Sequence, residues 1–289
     1  MAHFTRDMTR QQLWKQIGTR LNGPYALDDA RQIVEHVCSC SHAELLANTN
    51  TPVSRREQWR AKRMAAKRAR GVPMAYLLKL RSFYGRVFFV NRHTLIPRPE
   101  TETLVEEALA ISTPDLIIDV GTGSGAIGVT LALEQNAPVI ATDISRSALR
   151  AAKRNAHRLG ANVKFFHSDL MDHPRVRATM HQARSIVVVA NLPYLTPAFL
   201  QDSPNEVTKH EPMLALVADD KDGLCLYRRL LKQLTAYNKS LSILMEIDPR
   251  QLKAARSLAY KQFPHAKVHT TLDLSRQPRV IQIDAPSQA

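Results

Sequence analysis

Cysteine is scarce in this chain: Cys38, Cys40 and Cys225 are the three among 289 residues. No C-x-x-C pair occurs, and Cys38-Ser39-Cys40 is not a metal-ligand spacing, so neither a zinc module nor a disulfide-stapled miniprotein is expected. Reduced thiols suit a cytoplasmic protein. Aromatics are few, at 6%, yet apolar residues reach 44%, enough for a sizeable core. No apolar run approaches the ~18 residues of a membrane helix. The first turns of the chain mix charges and lack the apolar core of a secretory leader. The expectation is a soluble, cytoplasmic protein with no membrane partner. Acid is the other shortage: 26 Asp and Glu stand against 40 Lys and Arg, a formal charge of +14. Such a field favours nucleic acid, ribosome or acidic protein, though it also serves plain solubility. Direct nucleic-acid binding is compatible with the charge and not required by it. His157, His167, His173, His181 and His210 are scattered without ligand spacing, so no metal is expected.

Two styles of sequence follow one another. Residues 1–80 carry helical spacing and almost no strand signal. Leu13, Ile17 and Leu21 recur at helix intervals, and Asp28 or Asp29 is placed to cap a helix through Ile33, Val34 and Val37. Residues 41–47 suggest a short helix. Ser54 can cap a long basic helix over 55–70, which holds eight Lys or Arg against Glu57 alone and stops at Gly71. This predicts a small helical domain that recognises a substrate. Residues 83–90 are rich in strand formers. A turn at Asn91-Arg92-His93 and a return through 94–96 predict a β-hairpin linker over 81–99. A helix over 100–111 opens a third region, 100–289. There, apolar β-branched runs at 116–120, 139–143, 163–167, 186–190, 241–247, 268–271 and 279–283 alternate with helical patterns such as 127–135 and 146–159. The pattern predicts an α/β fold with a mostly parallel, seven-stranded Rossmann-like sheet covered on both faces.

The first strand runs into Asp119-Val120-Gly121-Thr122-Gly123-Ser124-Gly125 and then a helix. Glycines here let the backbone turn and approach a ligand closely. Asp143 ends the second strand about 20 residues on, where a carboxylate can accept both hydroxyls of a ribose. An adenosine-type cofactor is therefore expected at the carboxyl edge of the sheet. Gly123-Ser-Gly125-Ala-Ile-Gly128 also fits the dinucleotide pattern, so this loop alone leaves a nicotinamide enzyme open, and a merely structural turn too. The acid at its head, Asp119, favours a methyltransferase loop. After the third strand, Asp169 is placed to accept from an adenine amino group with Leu170 against the ring; an ordinary helix cap is an equal reading of Asp169.

The fourth strand leads directly into Asn191-Leu192-Pro193-Tyr194. An amide or aryl nitrogen is a weak nucleophile because its lone pair is delocalised. The Asn191 side-chain oxygen and the Leu192 carbonyl can accept its two N–H bonds and aim that lone pair at a methyl donor. Pro193 has no N–H and restricts Leu192, and Tyr194 can stack on the planar group.

Other blocks carry a resemblance. Gly71-Val-Pro-Met-Ala-Tyr76-Leu, Leu95-Ile-Pro-Arg-Pro-Glu-Thr-Glu102, Asn155, Glu211-Pro212-Met-Leu-Ala-Leu216, Asp222-Gly223-Leu224, Glu246-Ile247 and Arg279-Val280 follow in order. Together with Asn191–Tyr194 they resemble the HemK-type protein N5-glutamine methyltransferases over roughly residues 70–283. The resemblance implies S-adenosylmethionine on Gly121, Thr122, Gly123, Ser124, Gly125, Asp143, Asp169 and Leu170, with Asn191 bordering it. It implies a protein substrate, the glutamine of the Gly-Gly-Gln motif of peptide chain release factors, held by Asn191, Leu192, Pro193 and Tyr194. Leu192 stands where the family has a first proline, Leu170 where an aromatic is frequent, and Asp248-Pro249 where a glycine is usual. A ribosomal-protein glutamine methyltransferase and an adenine N6-methyltransferase of RNA or DNA are the rival readings.

Overall fold

A computed structural model describes residues 8–202 and 204–287. The outer ends of the expected helical and catalytic regions, 1–7 and 288–289, lie outside the described residues. The chain forms two compact units: residues 1–79 with 205–210, and 80–204 with 211–289.

The first unit holds α1 (Arg10–Gly18), α2 (Ala26–Cys38), α3 (His42–Ala47), α4 (Arg55–Arg68) and α5 (Met74–Leu78). Leu13, Ile17, Leu21, Ile33, Val34 and Val37 meet in its core, as their spacing predicts. Ser41 and Ser54 each close a capping box, with Glu44 and Glu57 three residues on. The expected cap of α2 is corrected. Its N-cap is Tyr25, with no side-chain bond, and Asp28 and Asp29 lie within the first turn. There Asp28 pairs with Arg31, while Asp29 takes the Arg68 guanidinium at 2.6 Å. Arg68 is thereby withdrawn from the basic face of α4, and it also holds Glu206 at 2.6 Å.

The second unit opens with a hairpin, β1 (Leu80–Phe83) and β2 (Arg86–Phe89). The turn expected at 91–93 is present, with the Thr94 N–H on the Asn91 carbonyl at 2.9 Å, but it does not join the hairpin strands; Tyr84-Gly85 does. Both residues have positive φ, +48° and +68°, the two-residue geometry that matches strand twist. Residues 94–96 form no strand. Then come α6 (Thr101–Ala110), β3 (Leu116–Val120), α7 (Ala126–Glu134), β4 (Val139–Asp143), α8 (Arg146–Leu159), β5 (Val163–His167), α9 (Pro174–Gln182) and β6 (Ser185–Ala190). After α10 (Pro197–Gln201), and after α11 (Asn205–His210), which belongs to the first unit, follow α12 (Cys225–Leu234), β7 (Ser240–Glu246), α13 (Leu252–Gln262), β8 (Lys267–Leu272) and β9 (Pro278–Ala285).

The seven strands lie in the order β5-β4-β3-β6-β7-β9-β8. All pairings are parallel except β7–β9 and β9–β8. Central strands β3 and β6 are buried on both faces, which explains their unbroken apolar runs. Alternate residues feed two cores: Ile118, Val120 and Val188 on one face, Ile117, Val187 and Val189 on the other. Chain order reverses between β3 and β6, and a crevice opens beyond the carboxyl ends of strands at such a point.

Candidate active site

A cleft of about 430 Å³ lies at that crevice, a size suited to a small-molecule ligand. Gly121, Gly123, Asp143, Asp169 and Leu170 of the expected cofactor set line it, with Leu192 and Pro193 of the turn. Thr122, Ser124 and Gly125 stand behind its wall. Thr122 is buried and donates its hydroxyl to Asp119 Oδ2 at 2.6 Å, and the Ser124 carbonyl accepts from Asn155 Nδ2 at 2.8 Å. These contacts shape the loop from behind. Gly121, Gly123 and Gly125 all take left-handed φ, between +57° and +84°, which frees the loop to fold back over the strand end.

Two acids brace this loop, Asp119 buried and Asp143 half-buried at the cleft. Asp119 is fully enclosed, and its Oδ2 also accepts the Gly128 N–H at 2.9 Å. A Cβ at position 128 would come within 2.8 Å of that oxygen, so the third glycine of the apparent dinucleotide pattern makes room for an acid. Burial raises Asp119 to about 6, opposed by those two bonds. Asp143 accepts N–H bonds from Ser145 at 2.7 Å and Gly123 at 2.8 Å, one on each oxygen. Burial pushes its pKa above the ordinary carboxylate value, and the two N–H bonds counter the shift. Each oxygen keeps a second lone pair toward the cleft, as a ribose diol requires. Asp169 is paired with Arg229, which also lines the cleft, and Leu170 is buried at φ +51°.

The turn after β6 is tied from below. Asn191 Nδ2 donates to Thr101 Oγ1 at 3.1 Å, which points its oxygen the other way. The Leu192 N–H donates to the hydroxyl of fully buried Tyr227 at 3.1 Å, and that hydroxyl faces the carbonyls of Ala190 and Glu246. The Tyr194 hydroxyl donates to Glu246 at 3.3 Å. Gln251 Nε2 clasps the carbonyls of Tyr194 at 3.0 Å and Asp222 at 2.7 Å. Gly223 lets these groups meet: at φ +72°, a Cβ there would lie 2.2 Å from the Tyr194 oxygen. Asp248-Pro249, the departure after Ile247, caps the short 3-10 turn Pro249–Gln251 and so presents Gln251.

The remaining motif residues fall into place around this turn. Glu211, buried, accepts the Ile96 N–H at 3.1 Å and pairs with Arg98. Glu102 accepts the Tyr84 N–H at 2.8 Å, fixing the hairpin turn to α6. Asn155 bonds both backbone groups of Phe89 as well as the glycine loop. Sequence reasoning missed His93, Ile144, Leu214, Leu226 and Arg229 in the cleft wall, and Thr101, Tyr227 and Gln251 beneath the turn.

Residues 117–209 match the sequence model of a methyltransferase domain, and residues 12–78 that of a PrmC N-terminal domain. The release factor glutamine methyltransferase of Bacillus subtilis is 39% identical over 248 residues, covering 83% of this chain and 84% of that one. The chain belongs to the release factor glutamine methyltransferase family. The Neisseria gonorrhoeae member is 40% identical over 205 residues, 70% of this chain and 72% of its own. Among solved structures, the hMettl16 catalytic domain in complex with the MAT2A 3′UTR hairpin 6 matches with a TM-score of 0.52 at 16% identity. It covers 83% of this chain and 85% of that one, a likeness of fold. As a methyltransferase of this family, the chain takes its methyl group from S-adenosylmethionine. The cleft fits that donor: glycine backbone, a carboxylate with spare lone pairs and apolar walls converge there. Among the described residues no helix is long and apolar enough to cross a membrane.

Proposed function

We propose that this chain methylates the side-chain amide nitrogen of the glutamine in the Gly-Gly-Gln motif of a peptide chain release factor. S-adenosylmethionine supplies a methyl group activated on a sulfonium. The carrying observation is the Asn191 carboxamide, whose nitrogen is held by Thr101 so that its oxygen is turned away as an acceptor. That oxygen and the Leu192 carbonyl take the two N–H bonds of the substrate amide. The two N–H bonds lie in the amide plane, so fixing them aims the nitrogen lone pair, perpendicular to that plane, at the cleft, and the charge that develops on nitrogen meets acceptors already in place. Tyr194 closes one side of the site. No strong base is needed before transfer, because nitrogen becomes acidic once methylated. The helical unit, with the basic face of α4, serves recognition of the protein substrate.

The test is direct. Labelled S-adenosylmethionine is incubated with the enzyme and, separately, a release factor, a ribosomal protein fraction and ribosomal RNA. Label on the release factor glutamine is expected. Asn191→Ala should retain the fold and cofactor affinity and slow transfer by about 10²-fold, the loss typical of one preorganised polar contact. Label confined to RNA or ribosomal protein, or wild-type turnover by Asn191→Ala, overturns the reading.

A further inference from the structure

The positive charge of the second unit is concentrated in one stretch. Residues 146–177 hold eight Lys or Arg against Asp169 and Asp172 alone, in a chain whose total is +14. Both acids are already taken, Asp169 by Arg229 and Asp172 by Arg177. Arg146, Arg150, Lys153, Lys164 and Arg175 are all exposed. Among the described residues none of the five forms an ion pair with a carboxylate.

The helical period explains the layout. Buried Ala148, Leu149, Ala152 and Asn155 turn one face of α8 inward, and the cations occupy the other. Arg146, Arg150, Lys153 and His157 follow at intervals of four, three and four, so they form one row with steps of about 5–6 Å. Arg154 and Arg158 are held aside against β2, Arg154 over the Phe89 ring at 3.9 Å and Arg158 on the Val87 carbonyl. The row starts beside the cleft, where Ser145 and Ala148 form part of the wall. It then runs the length of α8, 14 residues or about 20 Å. At the far end Lys153, His157, Lys164 and Arg175 line a shallow groove of about 530 Å³, together with half-buried Phe165 and Phe166. The groove shares no residue with the cleft. β5 is the edge strand of the sheet and pairs with β4 alone, so backbone N–H groups on its outer side are open as well.

Like charges at such spacing oppose the helix that carries them, and a covering polyanion removes the cost. A protein partner needs an apolar or aromatic anchor at the centre of its footprint, and no large apolar side chain is exposed on α8, β5 or α9. A sugar-phosphate chain needs what is present: regularly spaced cations, open backbone N–H groups and a few aromatic faces. We propose that the outer face of α8, with the groove formed by α8, β5 and α9, binds the backbone of single-stranded nucleic acid. The face uses no residue of the cleft or of the Asn191 turn. It does not depend on which glutamine is methylated.

Full-length protein is titrated by fluorescence anisotropy with a labelled oligouridylate, its deoxy counterpart and labelled polyglutamate, over about 50–200 mM salt. One variant carries Lys153→Gln, Lys164→Gln and Arg175→Gln. A control carries Lys232→Gln, Lys253→Gln and Lys261→Gln, exposed positions on α12 and α13 that remove the same charge elsewhere. Wild type should bind the oligonucleotides and hold polyglutamate at least tenfold more weakly. Equal affinity for the two sugars indicates backbone contacts alone, and tighter RNA adds a contact to the 2′-hydroxyl. The groove variant should lose about tenfold or more in affinity, and its logarithmic salt slope should fall by about two, from about 0.7 per lost cation. The control should stay within about twofold. Arg146→Gln with Arg150→Gln, on the same row, should weaken binding in the same direction. Melting temperatures and methylation of a free release factor should be unchanged in all three variants. No oligonucleotide binding by wild type, equal losses in the groove variant and the control, or polyglutamate bound as tightly as the oligonucleotides each overturns the inference. A groove variant that keeps oligonucleotide binding and loses methylation of the release factor assigns the face to a protein partner and overturns it too.

Discussion

Leu192 departs from the proline that the family resemblance places at this position, and the structure shows what the departure supplies. Its N–H is donated to the Tyr227 hydroxyl inside the core, and its side chain is 4% exposed. From sequence, Leu192→Pro is expected to be nearly neutral, because the proposed chemistry uses only the carbonyl. The structure changes that expectation for stability and keeps it for turnover. Proline removes one buried N–H···O bond, worth about 1 kcal/mol. It also removes one carbon's worth of buried side chain, about 0.8 kcal/mol. A stiffer unfolded chain returns up to about 1 kcal/mol. The net loss is about 1–2 kcal/mol, or a melting temperature lower by about 3–6 °C for a unit of this size. Turnover should stay within about threefold, since the carbonyl that contacts the substrate amide is retained. Thermal denaturation of four proteins isolates the bond: wild type, Leu192→Pro, Tyr227→Phe and the double variant. Leu192→Pro should cost about 1 kcal/mol less on the Tyr227→Phe background, the coupling expected of a direct contact. Equal costs on both backgrounds would show that the bond contributes nothing, and a hundredfold loss of turnover would sink the assignment of the carbonyl alone.

Asp143→Ala should weaken S-adenosylmethionine binding by about 1–3 kcal/mol by calorimetry, the range for a bond to a charged group; NAD binding more tightly than S-adenosylmethionine to wild type would contradict the cofactor site. Asn191→Asp should bind the cofactor at least as well as wild type yet methylate more slowly. It keeps an acceptor but adds a negative charge that favours the sulfonium ground state over a transition state in which positive charge disperses; faster transfer would refute this. Asp119 is held near 6 against an ordinary 3.8. The folded state thus binds its proton more tightly than the unfolded state does. Its stabilisation is full below about pH 4 and is lost as pH rises through about 6, by about 3 kcal/mol in all. Urea melts of wild type and Asp119→Asn at pH 4.5 and 7.5 should differ in slope accordingly, and parallel curves would count against a buried, shifted Asp119.

Most of the second unit was legible because local chemistry decides it. The strand over 116–120 and the helix over 146–159 coincide with β3 and α8, where a fully buried parallel strand or an amphipathic period leaves little choice. The hairpin was misread for a physical reason. Tyr84-Gly85 lacks the Asn or Asp that usually announces a two-residue turn, while Asn91-Arg92-His93 looked more turn-like. The glycine loop and Asn191–Tyr194 were visible as motifs, because backbone geometry and chemistry there are carried by neighbours in sequence. Their supports were not. Thr101 reaches Asn191 across 90 positions, Tyr227 reaches Leu192 across 35, and Gln251 reaches Tyr194 across 57. No local period records such contacts. Arg98, Thr101 and Glu102 stood out as one motif, yet each turned out to serve a different partner.

Immediately after Tyr194, the chain leaves on a long excursion and returns to the same place. Leu195 donates to the Leu216 carbonyl at 2.9 Å, and Ala218 donates back to the Leu195 carbonyl at 3.0 Å. The feet of this 196–216 loop are thus fastened together directly behind the turn. Closing a longer loop between fixed feet costs only a slowly growing entropy. The returning limb is tied in as well: buried Glu211 holds the Ile96 N–H and Arg98, and Leu214 lines the cleft. A change of length is therefore tolerable in the outgoing limb alone, since replacing the whole loop would take Glu211 from Ile96 and Arg98 and Leu214 from the cleft wall.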